Sequence, residues 1–123
     1  MNIRIYAASA FACASLVLPQ VAIAGDQDFT LVNRTGYEID QVYVSPVNTN
    51  DWEEDVLDQD TLADGANVDI TFDRGSKACR WDLKVIYSVD GTSAEWSNVN
   101  LCEISSISIF YNAKTDTTSA TYQ

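Results

Sequence analysis

Seven carboxylates fall within fourteen positions, at Asp51, Glu53, Glu54, Asp55, Asp58, Asp60 and Asp64. A hard cation such as calcium takes about six to eight oxygen ligands, and a flexible carboxylate-rich loop can supply them. The spacing is not that of an EF-hand. With Asp58 and Asp60 at the first and third loop positions, Leu62 occupies the fifth, and Ala63 stands where the sharp turn needs glycine. Asp51, Asp55, Asp58, Asp60 and Asp64 are therefore the candidate calcium ligands. The competing reading is a solvated acidic loop whose carboxylates cap nearby backbone N–H groups. Paired carboxylates also serve glycoside hydrolysis, but nothing in the spacing singles out two of the 18 acids.

Other reactive groups are scarce. The chain contains no histidine, which removes imidazole-based catalysis and every His-ligated metal site. Ser76 and Lys77 are neighbours in a turn, so their side chains point apart on average, and no motif around them supports a catalytic dyad. No catalytic residue is expected, and calcium is the one cofactor the residues suggest. Three tryptophans, Trp52, Trp81 and Trp96, offer either core packing or a platform for sugar stacking. Trp81 lies on an alternating apolar stretch and is expected in the core. Trp52 is expected to plug its loop into the sandwich end. Trp96, at the end of a short hairpin strand, is the candidate accessible binding residue.

Met1 to Ala24 reads as a secretory signal peptide. Arg4 gives the positive start, Ile5 to Leu18 the apolar run, and Ala22-Ile23-Ala24 the small-x-small site ahead of Gly25. The run is short for a membrane span, and no span is expected after cleavage. Cys13 lies inside this segment, without the leucine of a lipobox. The remaining domain, residues 25–123, has 99 residues and a net charge of −12, since Arg4 is the signal's only charged residue. Two cysteines remain, Cys79 and Cys102. An even pair in an exported protein most simply forms one disulfide. The expected compartment is the periplasm or the exterior.

The elements that must position these residues are strands. Asp28–Val32, Ile39–Ser45, Asn67–Asp73, Trp81–Tyr87, Ser93–Trp96, Ile104–Asn112 and Thr117–Tyr122 are short and alternating or β-branched, with turn residues between them. Gly36 is placed for positive φ in the turn Asn33-Arg34-Thr35-Gly36, which also matches the glycosylation sequon. Asp90-Gly91 signals a hairpin. Seven such strands predict an antiparallel β-sandwich or small barrel. Residues 47–66 are the one long irregular stretch. Within it Trp52–Leu57 is the only helical candidate, with Asn50 or Asp51 as its cap.

Asn33-Arg34-Thr35-Gly36, Tyr43-Val44-Ser45-Pro46, Asp51-Trp52, Asp55-Val56-Leu57 and Gly65 form an ordered series. Cys79-Arg80-Trp81-Asp82-Leu83, Asp90-Gly91, Trp96 and Leu101-Cys102 follow it. Together they resemble a group of small exported bacterial β proteins of uncharacterised function, over most of residues 28–110. Where that pattern has glycine, this chain has Glu53 and Asp58, which makes the loop more acidic. The resemblance implies a fold and a compartment, and no activity.

The acidity bears on partners. A charge of −12 repels nucleic acid and anionic membranes and steers basic proteins. The sequence thus reads as an exported, non-enzymatic β-sandwich that binds a macromolecular partner, of basic character, through an acidic surface. The alternatives are a calcium-dependent module built on loop 51–64 and a carbohydrate-binding protein.

Overall fold

The structure is a computed structural model that describes residues 27–123, apart from positions 48, 50, 53 and 74–76. The expected signal segment 1–24 with Cys13, the expected cap Asn50, Glu53, Ser76 and most of the turn at 73–76 lie outside the described residues. Seven strands run β1 (Phe29–Arg34), β2 (Ile39–Pro46), β3 (Asn67–Ile70), β4 (Arg80–Tyr87), β5 (Ser93–Asn100), β6 (Ser106–Asn112) and β7 (Thr117–Tyr122). They form a four-stranded sheet in the order β3-β1-β6-β7 and a three-stranded sheet in the order β2-β4-β5. Every pairing is antiparallel except β1 with β6, which is parallel. Two separate sheets make this a sandwich, and the small-barrel alternative is set aside.

Alternation builds the core. Trp81, Leu83, Val85 and Tyr87 of β4 are buried while Asp82, Lys84 and Ile86 face outward. Phe29 and Leu31 of β1, Ile70 of β3, and Ile107 and Ile109 of β6 meet them from the other sheet. In β2 the strict period of two breaks. A bulge between Ile39 and Gln41 inserts one residue, so Ile39 and Val42, three apart, are both buried. The β4–β5 hairpin closes where Asp90-Gly91 predicts it. Tyr87 N–H donates to the Thr92 carbonyl at 2.8 Å, Asp90 Oδ1 accepts from Thr92 N at 3.0 Å, and Gly91 takes φ 74°.

Cys79 and Cys102 form the expected disulfide, closing a 23-residue sequence separation just outside β4 and β5. A single 3₁₀ turn, Leu101–Glu103, follows β5 and is capped by Asn100, whose side chain accepts from Cys102 N–H. No α-helix occurs among the described residues. This corrects the helical expectation for Trp52–Leu57. The Val56 N–H is drawn to the Val42 carbonyl of β2 at 2.8 Å, and the Leu57 N–H goes to the Asp55 side chain at 3.0 Å. With both donors diverted, the segment folds into successive tight turns instead, with Asp58 in the left-handed region at φ 63°.

Candidate functional site

Strand β2 lies at the edge of its sheet, and the acidic loop covers that edge. Ile39 and Leu62 exchange both backbone hydrogen bonds at 2.9 Å. Val42 N–H donates to Asp55 Oδ1 at 2.9 Å, and its carbonyl takes the Val56 N–H. Ser45 Oγ reaches the Asp51 carbonyl at 3.0 Å. An exposed strand edge is a template for unwanted pairing, and here the loop occupies it. Thr61 Oγ1 donates to Glu38 Oε2 at 2.7 Å, tying the far end of the loop to the β1–β2 turn. Hydrogen bonds from Thr61 and Ser88 hold the Glu38 carboxyl below the usual carboxylate range.

A buried amide anchors this arrangement. Asn33, in β1, is 0% exposed. Its Nδ2 donates to the Tyr37 carbonyl at 2.8 Å and the Leu62 carbonyl at 2.9 Å. Its Oδ1 accepts from Thr35 N–H at 3.0 Å and lies 2.7 Å from the Thr35 hydroxyl. Gly65 N–H donates to the Asn33 carbonyl at 2.7 Å, and Gly36 N–H to Asp64 Oδ1 at 2.8 Å. The Asn-x-Thr-Gly series is thus the junction between the β1–β2 turn and the end of the acidic loop. The sequon nitrogen is a buried hydrogen-bond donor in this fold.

The loop's carboxylates divide into two sets. Asp55 and Asp64 are committed to backbone N–H groups of the fold. Asp51, Glu54, Asp58 and Asp60 are exposed. Among the described residues, no group of three or more potential ligands gathers where it could hold a metal ion. The five calcium candidates are therefore not brought to one point.

Beside the exposed pair Asp58 and Asp60 lies a groove of about 410 Å³, between the loop and β3. Its floor is apolar: Val56, Leu57, Leu62, Ala66 and Val68. Asp58, Asp60, Thr61 and Asn67 complete the lining. The sequence reading had the acids and missed the floor. The only local signal was the presence of Val56, Leu57 and Leu62 within an otherwise acidic run. A volume of this size lies within the range of about 300–1,000 Å³ usual for ligand clefts.

Of the three tryptophans, Trp81 lies in the core as expected, while Trp96 and Trp52 do not lie where they are expected. Trp81 is buried, with Nε1 donating to the Ala78 carbonyl at 2.9 Å and its ring 4.7 Å from that of Phe72. Trp96 is half-buried and packs against the core from β5, on the same face as its cross-strand partner Leu83. Trp52 does not enter the core. It is half-buried beside Tyr43, an outward residue of β2, at 6.5 Å between ring centroids. Lys84 Nζ lies 5.5 Å from the Trp52 ring and 5.7 Å from the Tyr43 ring. The indole therefore clips the loop onto the outer face of the three-stranded sheet. At the opposite end, Tyr37, Tyr87 and Tyr111 meet edge to face. Tyr87 Oη bridges the two sheets to Thr118 Oγ1 at 2.8 Å. The hydrogen bond to Asp116, with burial behind it, pushes the Tyr111 phenol up to about 12.

No protein-family model matches the sequence, and no curated protein matches it. Among solved structures, the chain is similar to the NMR structure of a protein from Eubacterium rectale. The likeness has a TM-score of 0.54 at 13% identity and covers 77% of this chain and 85% of that one. It is a likeness of fold.

Proposed function

We propose that this is an exported, non-enzymatic β-sandwich that binds a basic macromolecular partner through the acidic surface around loop 51–64. One observation carries the reading. Asp58 and Asp60 line an apolar-floored groove while the carboxylates the fold uses, Asp55 and Asp64, turn away to backbone N–H groups. Exposed charge beside apolar surface offers steering and desolvated contact together, as protein interfaces do. The net charge of −11 for the whole chain favours a basic partner. The Cys79–Cys102 disulfide supports an oxidising compartment, the periplasm or the exterior. No helix among the described residues is long and apolar enough to cross a membrane.

The test is affinity capture from envelope extract and culture medium with immobilised wild type and an Asp58→Asn/Asp60→Asn variant in parallel. Asparagine keeps the left-handed backbone at position 58 accessible, so the variant should keep its fold. The expected result is a discrete set of basic proteins held at low salt by wild type and depleted on the variant. Equal recovery on both surfaces would refute the acidic-surface reading.

A further inference from the structure

The groove runs alongside the outer edge of β3, and that edge is not the one the loop covers. In the β1–β3 ladder, Leu31 opposes Val68 and Phe29 opposes Ile70. Asn33 N–H, two residues on, donates to the Ala66 carbonyl at 2.9 Å. Antiparallel strands alternate, so the Ala66 carbonyl and the backbone groups of Val68 and Ile70 face β1, and those of Asn67 and Asp69 face away from it. Both Asn67 and Asp69 are exposed. Among the described residues no strand pairs with this edge of β3, an apolar floor lies next to it, and the carboxylates of Asp58 and Asp60 line the same groove.

We infer that the partner segment is extended and joins the four-stranded sheet as an additional strand along β3. This rests on the acidic-surface reading above and deepens it. Strand addition supplies main-chain hydrogen bonds for affinity and alternate side-chain pockets for selection. The period of two sends one side chain onto Val56, Leu57 and Val68 and its neighbours outward. The seated residue is therefore aliphatic. The residues flanking it are Lys or Arg, drawn by the exposed Asp58 and Asp60 at the groove. A second copy of this chain does not fit the description. It would bring the same acids to the same edge, and like charges set opposite one another repel.

The probe is a fluorescein-labelled hexapeptide alternating lysine and valine, titrated by anisotropy into the purified protein. Its comparison peptide is methylated on alternate backbone nitrogens, so one edge can no longer donate. The protein variant Asn67→Pro removes an outward N–H while leaving the ladder with β1, a substitution edge strands tolerate. The expected result is binding of the plain peptide, weakened about ten-fold by methylation or by Asn67→Pro. The Asn67 and Asp69 amides should gain protection from hydrogen exchange when it binds. If Asn67→Pro melts early, the methylated peptide still decides. Equal binding of plain and methylated peptides, both lost on Asp58→Asn/Asp60→Asn, overturns strand addition and leaves the acidic-surface reading standing. Binding of neither peptide at millimolar concentration, with captured proteins still depleted on the charge variant, does the same. Peptide binding unaffected by the charge variant refutes the acidic-surface reading itself.

Discussion

Replacing Asn33 with alanine should remove a large share of the domain's stability. The amide makes four contacts, two given by Nδ2 and two received by Oδ1. Two of the groups left behind keep a second partner. The Leu62 carbonyl still accepts from Ile39 N–H at 2.9 Å, and the Tyr37 carbonyl still has the Thr35 hydroxyl at 3.0 Å. The Thr35 N–H loses Oδ1 as its acceptor, in a residue only 5% exposed. Lost bonds at about 1 kcal/mol each, with about 1–3 kcal/mol for a buried orphan donor, give a cost of roughly 4 kcal/mol. Domains of this size hold about 5–15 kcal/mol in all. Urea unfolding followed by tryptophan fluorescence, with far-UV circular dichroism as a second probe, measures it. Asn33→Asp is the informative companion. It keeps the acceptor for Thr35 but turns a second oxygen toward two carbonyls, so it should also be destabilised at neutral pH. It should recover in part in acid, where a protonated carboxyl donates one bond. An alanine variant within about 1 kcal/mol of wild type would refute the reasoning.

Five further outcomes are expected. Replacing Cys79 and Cys102 with serine should cost about 3 kcal/mol, from the loop entropy released to the unfolded chain, read as a lowered denaturant midpoint. Trp52→Ala should cost only about 1–2 kcal/mol, the worth of one ring pair and one exposed cation–π contact. Trp81→Ala, in the core, should cost about 3–5 kcal/mol, so equal losses would contradict the placement of the two indoles. Asp55→Ala should cost about 2–3 kcal/mol through two charge-assisted backbone bonds, against about 0.5 kcal/mol or less for Asp58→Asn or Asp60→Asn. Thermal melts with millimolar calcium and with chelator should coincide, because a folded-state ligand would raise the midpoint. In alkali, the folded Tyr111 phenol holds its proton up to about 12, above the unfolded value of 10.0. Its contribution is therefore full below pH 10 and is lost as pH rises toward 12. Ultraviolet titration should show a phenol titrating near 12 that Tyr111→Phe removes.

The strands were legible because their pattern is local. Trp81, Leu83, Val85 and Tyr87 mark their own face, and Asp90-Gly91 marks its own turn. Misreadings came where a distant group takes a backbone donor. β3 ends at Ile70, with Phe72 N–H captured by Asp28 Oδ1 from 44 residues away. Trp52–Leu57 fails as a helix because β2 claims Val56. Asn33 has the look of a turn residue, and it does start one, but the Leu62 carbonyl that buries it comes from 29 residues on. The groove was illegible for the same reason. The Ile39–Leu62 bridge brings 56–62 alongside 66–68, and only the folded chain makes that pairing. Trp52 is expected at the sandwich end because it opens the one long irregular stretch, yet it lies on the outer face of the three-stranded sheet. The outward phase of Lys84 is visible in its alternating strand, but that of Tyr43 follows from the bulge between Ile39 and Gln41, which only the folded ladder shows.

The parallel pairing of β1 with β6 has a consequence for biogenesis. β1 is interior to its sheet, yet one neighbour, β6, begins only at Ser106, opposite Thr30. A chain emerging from its N-terminus must hold Phe29–Arg34 without that neighbour until nearly all of it has appeared. The other sheet is made from β2, β4 and β5 alone, and its cysteines both precede β6. Its hairpin and its cross-link can therefore be complete while the larger sheet still lacks its middle. Contacts between segments so far apart in sequence slow folding. On the export route proposed above, late closure keeps the chain threadable until its last strands have passed.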